Sequence, residues 1–327
     1  MVNRLGSMSD VSVIGAGAWG IALAIQAARA GANVLLWARD PQRAAELAAQ
    51  GESPRLPGVR LTQQVAVTHD LARVGGIVLM SVPMQHQRAV LARLPPGTAP
   101  LVICAKGFEA GTHLLPLEVV QSVQPGAEAA VLTGPNFAHE IAAGLPAASV
   151  VAATHAALRE RVIAALSTPT FRLYGNDDPI GAQVGGAAKN VIAIAAGAVI
   201  GAGLGENARA ALITRGLAEL ARLAVALGGR RETIMGLSGL GDLLLTCTGP
   251  ASRNYSLGVA LGQGQKLADV LAARSAVTEG VATAPALVAR AAGLDLPICT
   301  AVAALLQGRT TLRQVITDLL ARPLRDE

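Results

Sequence analysis

The amino-acid sequence predicts an α/β protein in two parts, a doubly wound parallel sheet followed by an all-α domain. Three observations carry that expectation. Short β-branched runs alternate with segments of helical length over the first half. A glycine turn, Gly15-Ala16-Gly17-Ala18-Trp19-Gly20, follows the first of those runs directly. Beyond Pro179 the strand signal gives way to Ala- and Leu-rich segments of helical period.

In chain order, DVSVIGAGAWGIALAIQAARAGANVLLWARDP from Asp10 reads as a strand, a glycine turn, an apolar helix closed by Gly31 and a second strand, a βαβ unit. Further strands are expected at Val65–Thr68, Ile77–Val82, Leu101–Cys104, Ala130–Leu132 and Ser149–Ala152. Interiors such as IVLMSV and LVIC are continuously apolar, as burial on both faces of a parallel sheet demands. Helical periodicity then marks Gly181–Leu204, Ala208–Leu227, Leu257–Gly262, Ala284–Ala292 and Leu312–Ala321. The turn-rich YGNDDPIG places the boundary, with a sheet domain over residues 10–180, a helical domain over 181–327, and residues 1–9 as an extension or tag.

With 52% hydrophobic and 15% charged residues, the composition excludes a disordered tail or a fibrous repeat. The longest apolar run, Val191–Leu204, has 14 residues against the ~20 of a membrane span, so a buried core helix and no membrane insertion are expected. MVNRLGSMSD carries no secretory signal, and a cytoplasmic location follows as an expectation. The formal charge of +5 comes from arginines scattered singly, no basic run exceeds Arg230-Arg231, and seven aromatic residues offer no stacking platform. That pattern points away from nucleic acid and towards small anionic substrates. Cys104, Cys247 and Cys299 are far apart and read as reduced structural thiols. The histidines at 69, 86, 113, 139 and 155 lack metal-ligand spacing, so no metal is expected.

The chemistry-bearing positions start with the glycine turn. Gly15, Gly17 and Gly20 match GxGxxG between a strand and a helix, where a tight turn brings the backbone and the positive helix terminus to a pyrophosphate. A ligand-free turn is the alternative reading. The second strand ends in Ala38-Arg39, and Asp40-Pro41 suits a helix N-cap followed by Pro at the first helical position. Without an acid for the ribose, and with Arg39 for a 2′-phosphate, NADPH is favoured over NADH.

Only three of the 27 basic residues are Lys: Lys106, Lys189 and Lys266. A lysine can lose its proton where arginine cannot. Lys106 follows the strand LVICA at the carboxyl edge of the sheet, as a site residue or a solvated surface lysine. Lys189, inside the apolar GGAAKNVI, is either a proton-transfer group with a lowered pKa or a snorkelling side chain. Gly134 in TGPNFA follows another strand. Asp242 closes the glycine-rich GLSGLGD, and Ser252-Arg253-Asn254 offers the donors that suit a phosphate or an ordinary polar loop.

Taken together, GAGAWG, LWAR, AKG, TGPNFAHE, AAKN, GLGDLLLTCTGPASRN and VTEG, in that order from about Asp10 to Arg322, resemble the bacterial NAD(P)-dependent glycerol-3-phosphate dehydrogenases. The resemblance implies a Rossmann domain followed by a helical domain of the 6-phosphogluconate dehydrogenase C-terminal type, commonly as a homodimer. It implies interconversion of dihydroxyacetone phosphate and sn-glycerol 3-phosphate for phospholipid synthesis, with the cofactor and the substrate meeting in a cleft between the domains. Carried over by residue, Lys189 becomes the catalytic acid/base, and Lys106, also catalytic, comes to lie beside both substrate and nicotinamide. Cofactor contacts would come from Ala18, Trp19, Arg39, Lys106, Ala138, Arg253, Val277 and Glu279. Substrate contacts would come from Lys106, Gly134, Asn136, Asp242, Ser252, Arg253 and Asn254. Asn136 departs from the family pattern, where Ser or Thr is usual. A ketopantoate- or 6-phosphogluconate-type reductase would keep GAGAWG and a lysine without GLGD and SRN, and a redox sensor would need no Lys189.

Overall fold

The computed structural model describes residues 9–321, except 96, 98, 275 and 276 and the side chains of Leu319 and Leu320. The extension expected over residues 1–9 lies almost entirely outside these residues. The chain divides into two compact units. One contains the described residues up to Ala105 together with Pro116–Pro179, the other Lys106–Leu115 and the chain from Ile180 onward. The sequence reading placed Lys106–Leu115 with the sheet; Phe108 and Leu115 instead pack into the core of the helical unit.

The first unit runs β1 (Val11–Ile14), α1 (Ala18–Arg29), β2 (Val34–Trp37), α2 (Pro41–Gln50), β3 (Glu52–Ser53), β4 (Leu56–Arg60), β5 (Val65–Thr68), β6 (Ile77–Met80) and α3 (Met84–Leu91). It continues with β7 (Leu101–Ile103), α4 (Pro116–Val123), β8 (Ala129–Thr133), α5 (Ala138–Ala143), β9 (Ala147–Ala152), α6 (Ala156–Leu166) and β10 (Phe171–Asn176). Eight strands form one sheet in the order β10-β9-β8-β7-β6-β1-β2-β5, while β3 and β4 pair apart from it. β1 lies between β2 and β6, so the order reverses at the carboxyl end of β1, where open α/β sheets bind ligands. The expected parallel sheet is present, with one reversal: β8 and β9 pair antiparallel, and β10 runs parallel to β9. The chain between β8 and β9 carries the short α5 and returns antiparallel to β8. β1, β2 and β6 are buried throughout, which explains their unbroken apolar runs.

The second unit comprises α7 (Pro179–Gly201), α8 (Gly205–Ala226), α9 (Arg231–Met235), α10 (Asp242–Cys247), α11 (Arg253–Gly262), α12 (Leu267–Ala272), α13 (Glu279–Arg290), α14 (Pro297–Leu306) and α15 (Leu312–Leu320). The apolar run begins at Val191 within α7 and outlasts the helix, which ends at Gly201; α7 itself is 23 residues long and therefore long and apolar enough to cross a membrane. Every residue from Gly181 to Ala198 is nonetheless buried, and most of the apolar ones join the core of this unit. α7 is apolar all round because helices surround it. Its small residues allow backbone-to-backbone approach: a Cβ on Gly197 would lie 2.1 Å from the Tyr255 carbonyl oxygen, and one on Gly258 would lie 2.0 Å from that of Ile194. That contact brings α11 onto α7 at the level of their polar side chains.

Candidate active site

On the first unit, the glycine turn has three distinct steric roles. Gly15 adopts φ +113°, and a Cβ there would sit 2.7 Å from the Ser81 carbonyl oxygen; one on Gly20 would sit 1.8 Å from that of Gly15. Both positions are closed to side chains. Gly17, the N-cap of α1, has nothing within 4 Å of its missing Cβ. The helix has no side-chain cap and no acid in its first turn, where Ala18 and Trp19 lie. An uncapped helix terminus beneath an open glycine fits a dinucleotide pyrophosphate. At the end of β2, Asp40 accepts a hydrogen bond from the Arg43 amide at 2.9 Å and caps α2, with Pro41 at its start, while Arg39 is exposed. Gly134, at φ +152°, presses against Ser149, and the Asn136 amide nitrogen donates to the Ser149 hydroxyl. Ala138 opens α5.

On the second unit, Lys189 projects from the middle of α7 into a buried cluster. Its Nζ donates to Asp242 Oδ1 and, at 2.9 Å, to Thr246 Oγ1. Lys106 Nζ lies 2.5 Å from the other carboxylate oxygen, so one aspartate, 1% exposed, holds both lysines. Burial pulls the Lys189 ammonium down from 10.5 to about 8, opposed by the attraction of Asp242 and assisted by repulsion from Lys106. An amine with a midpoint near 8 gives or takes a proton close to neutrality. Cys247, one residue beyond Thr246, is pushed up to about 12 by burial and stays a thiol.

The SRN triplet separates by role. Ser252 is the N-cap of α11, its hydroxyl oxygen accepting from the Tyr255 amide at 3.2 Å. Asn254 is buried, donating to Asn190 Oδ1 at 2.8 Å and accepting from the Gly280 amide at 3.0 Å, which ties α11 to α7 and α13. Arg253 is exposed and donates to the Val277 carbonyl at 2.8 Å. Glu279 begins α13; its carboxyl is raised by burial and lowered by Arg253, Lys106 and Lys189. The structure thus gathers Lys106, Lys189 and Asp242 into one cluster, with Arg253, Val277 and Glu279 beside it.

The N-terminal part of the chain, residues 10–159, matches the family model described as NAD-dependent glycerol-3-phosphate dehydrogenase N-terminus, and residues 178–317 match its C-terminus. The glycerol-3-phosphate dehydrogenase [NAD(P)+] of Acidiphilium cryptum is 57% identical over 320 residues, which is 97% of this chain and 98% of that protein. The chain belongs to the glycerol-3-phosphate dehydrogenase family. The Gluconobacter oxydans relative of the same name is 51% identical over 96% of the chain and 97% of its own length. The crystal structure of glycerol-3-phosphate dehydrogenase from Coxiella burnetii superposes with a TM-score of 0.91 at 36% identity, covering 95% of this chain and 98% of that one.

Two buried polar residues, Thr246 in the lysine–aspartate cluster and Asn190 bonded to Asn254, escaped the sequence reading. Thr246 follows Asp242 by four residues, the spacing that places two side chains on one helix face. Asn190 is the polar neighbour of Lys189 in an otherwise apolar helix. Thr246 carried the signal of a polar side chain at a helical interval from a charge already singled out, and Asn190 that of a second polar residue in an apolar helix.

Proposed function

We propose that the protein reduces dihydroxyacetone phosphate to sn-glycerol 3-phosphate, reversibly, with NADPH preferred over NADH and Lys189 as the general acid/base. The observation that carries this reading is a buried lysine with a midpoint of about 8, held by a carboxylate shared with a second lysine. In reduction the Lys189 ammonium donates its proton to the oxygen of the ketone as it becomes an alkoxide; in oxidation the neutral amine accepts it. Lys106 adds positive charge beside that oxygen. Arg253, the exposed member of its triplet, meets the substrate phosphate, and Ser252 and Asn254 hold the α11 terminus in place for it. Gly15, Gly17, Ala18, Trp19 and Gly20 would hold the dinucleotide diphosphate, and Arg39 its 2′-phosphate, because Asp40 is engaged in capping. The bound nicotinamide would supply the hydride. Release of product to glycerophospholipid synthesis, in a cytoplasmic homodimer, completes the proposal.

The test uses Lys189→Ala and Lys189→Arg with dihydroxyacetone phosphate and NADPH, beside NADH and 2-keto acids. Both variants should bind NADPH and lose about 10²–10⁴-fold in kcat, since guanidinium keeps the charge but cannot shuttle the proton. Near-parental turnover in Lys189→Ala overturns the assignment, and preference for a 2-keto acid overturns the substrate.

A further inference from the structure

The residue that joins the two lysines is delivered by an unusual piece of backbone. Leu237–Gly241 forms a π-turn that runs directly into Asp242, the first residue of α10, with the Gly241 amide bonded to the Gly236 carbonyl oxygen at 3.1 Å. Such a turn carries one residue more than an α-helix would, and single π-turns of this kind are frequent at functional sites.

Glycine contacts seat the turn on two sides. A Cβ on Gly185 of α7 would lie 2.4 Å from the Ser238 carbonyl oxygen and 3.1 Å from Gly239 Cα. A Cβ on Gly239 would lie 2.0 Å from the Ile234 carbonyl oxygen of α9. Gly185 precedes Lys189 by four residues, and Ser238 precedes Asp242 by four. Residues four apart share a helix face, so the same face of α7 that bears Lys189 carries, one turn earlier, the bare backbone on which the π-turn rests. The register between amine and carboxylate is thereby set by a backbone contact.

We propose that Gly185 and the π-turn it supports are positioning elements for the reaction, holding Asp242 at Lys189 and so fixing the proton affinity of that amine. The consequence for turnover rests on Lys189 being the proton donor; the geometry and the titration below do not. A methyl group at 185 forces the turn back by about 1 Å, a gap too small to admit water, so the amine stays dry while its counter-ion recedes. At an effective dielectric near 20, that retreat lowers the Lys189 midpoint by about one unit. The other titratable groups facing Lys189 are Lys106, Cys247 from α10 and Glu279 from α13. Cys247 stays protonated across the range.

With three lysines in the chain, lysine-selective 13C labelling puts three Cε resonances in the spectrum, assigned through Lys106→Arg and Lys266→Arg. In the unloaded parent protein the Lys189 signal should titrate at about 8 and in Gly185→Ala about one unit lower. Gly201→Ala is the control: its Cβ would meet the Val259 carbonyl oxygen at 2.1 Å, an equal insult on the same helix far from Asp242, and its Lys189 midpoint should not move. A folded Gly185→Ala with an unmoved midpoint overturns the proposal, as does an equal shift in Gly201→Ala. Should Gly185→Ala fail to fold, deletion of Leu240 removes the extra residue of the turn and rotates Asp242 by about 100°, and the midpoint should again fall. An unmoved midpoint in that variant, or loss of folding in both, also overturns it, because the turn would then hold the unit together rather than aim one carboxylate. Failure of Lys189 as proton donor shows instead in turnover, with the titration unchanged.

Discussion

Asp242→Asn isolates the charge that both lysines share. The amide preserves shape and a hydrogen-bonding oxygen but removes the attraction that opposes burial at Lys189, leaving desolvation and the repulsion of Lys106. An opposite charge in direct contact shifts a pKa by roughly 1–3 units, so the Lys189 midpoint should fall from about 8 to about 5–7. At pH 7 the protonated fraction then drops from roughly nine-tenths to between about one-half and one-hundredth. For a step that requires the ammonium form, this lowers kcat/KM for ketone reduction about 2–100-fold, with the loss shrinking as the pH is lowered. The assay is the pH–rate profile of NADPH oxidation with dihydroxyacetone phosphate well below its KM, which reads kcat/KM from about pH 5 to 9. A profile merely scaled down, with its inflection unmoved, would refute the view that Asp242 sets the proton affinity of Lys189.

Arg253→Ala should raise the KM for dihydroxyacetone phosphate about 10–150-fold, the worth of one charge-assisted bond of roughly 1.5–3 kcal/mol, while unphosphorylated dihydroxyacetone is reduced as slowly as by the parent. Equal losses for both substrates would remove Arg253 from phosphate binding. Arg39→Asp should weaken NADPH more than NADH, and parallel rises in the two Michaelis constants would contradict a 2′-phosphate contact. Glu219 of α8 accepts the Ile298 and Cys299 amides at 2.7 and 3.0 Å, holding the start of α14. Glu219→Gln should therefore lower Tm by several degrees at pH 5, for about 1–3 kcal/mol lost with one acceptor, and leave the Lys189 inflection in place. Burial raises the Glu219 pKa, so its stability contribution is complete below about 4.5 and declines as the pH rises through the folded-state value. The Tm gap between parent and variant should accordingly narrow above that value; a gap that widens would show the sign to be wrong.

The sheet was legible because burial on both faces imposes continuous apolar strands, and the glycine turn because its closed positions admit no side chain. β10 escaped notice since its alternation of buried and exposed residues, Phe171 to Asn176, is that of an edge strand ending in Gly and Asn. α14 is not legible because Thr300 is the one polar residue among its ten and gives no polar face to set a period. Within the cluster, Lys189 stood out against its apolar helix. Asp242 was recognised as a polar residue after a glycine turn, yet its engagement with both lysines depends on α7 and α10 lying side by side, which local sequence does not encode. Ser252 and Asn254 resembled ligand donors for the same reason they serve as caps and ties: the groups that bind a phosphate are those that satisfy helix termini.

Two ammonium groups share the Asp242 carboxylate, and burial pushes the neighbouring Glu279 carboxyl towards its neutral form, so positive charge gathered in a site largely shielded from water is costly until an anion arrives. Repulsion from Lys106 is one of the causes that lower Lys189, so the cost is expressed partly as proton release. A phosphorylated ketone brings the missing negative charge. Its binding should make the ammonium form of Lys189 cheaper and raise its midpoint above about 8, which keeps the proton available at the moment the carbonyl oxygen needs it. The chain's net charge of +5 cannot produce this effect, because exposed arginines are screened over about 10 Å whereas the buried pair is not. The consequence is kinetic. For reduction, kcat/KM reports the free enzyme and should fall with an inflection near 8, while kcat reports the substrate complex and should hold to a higher pH. Coincident inflections would mean that the substrate's charge is not felt by Lys189, and that the phosphate is held too far from the lysine pair to tune it.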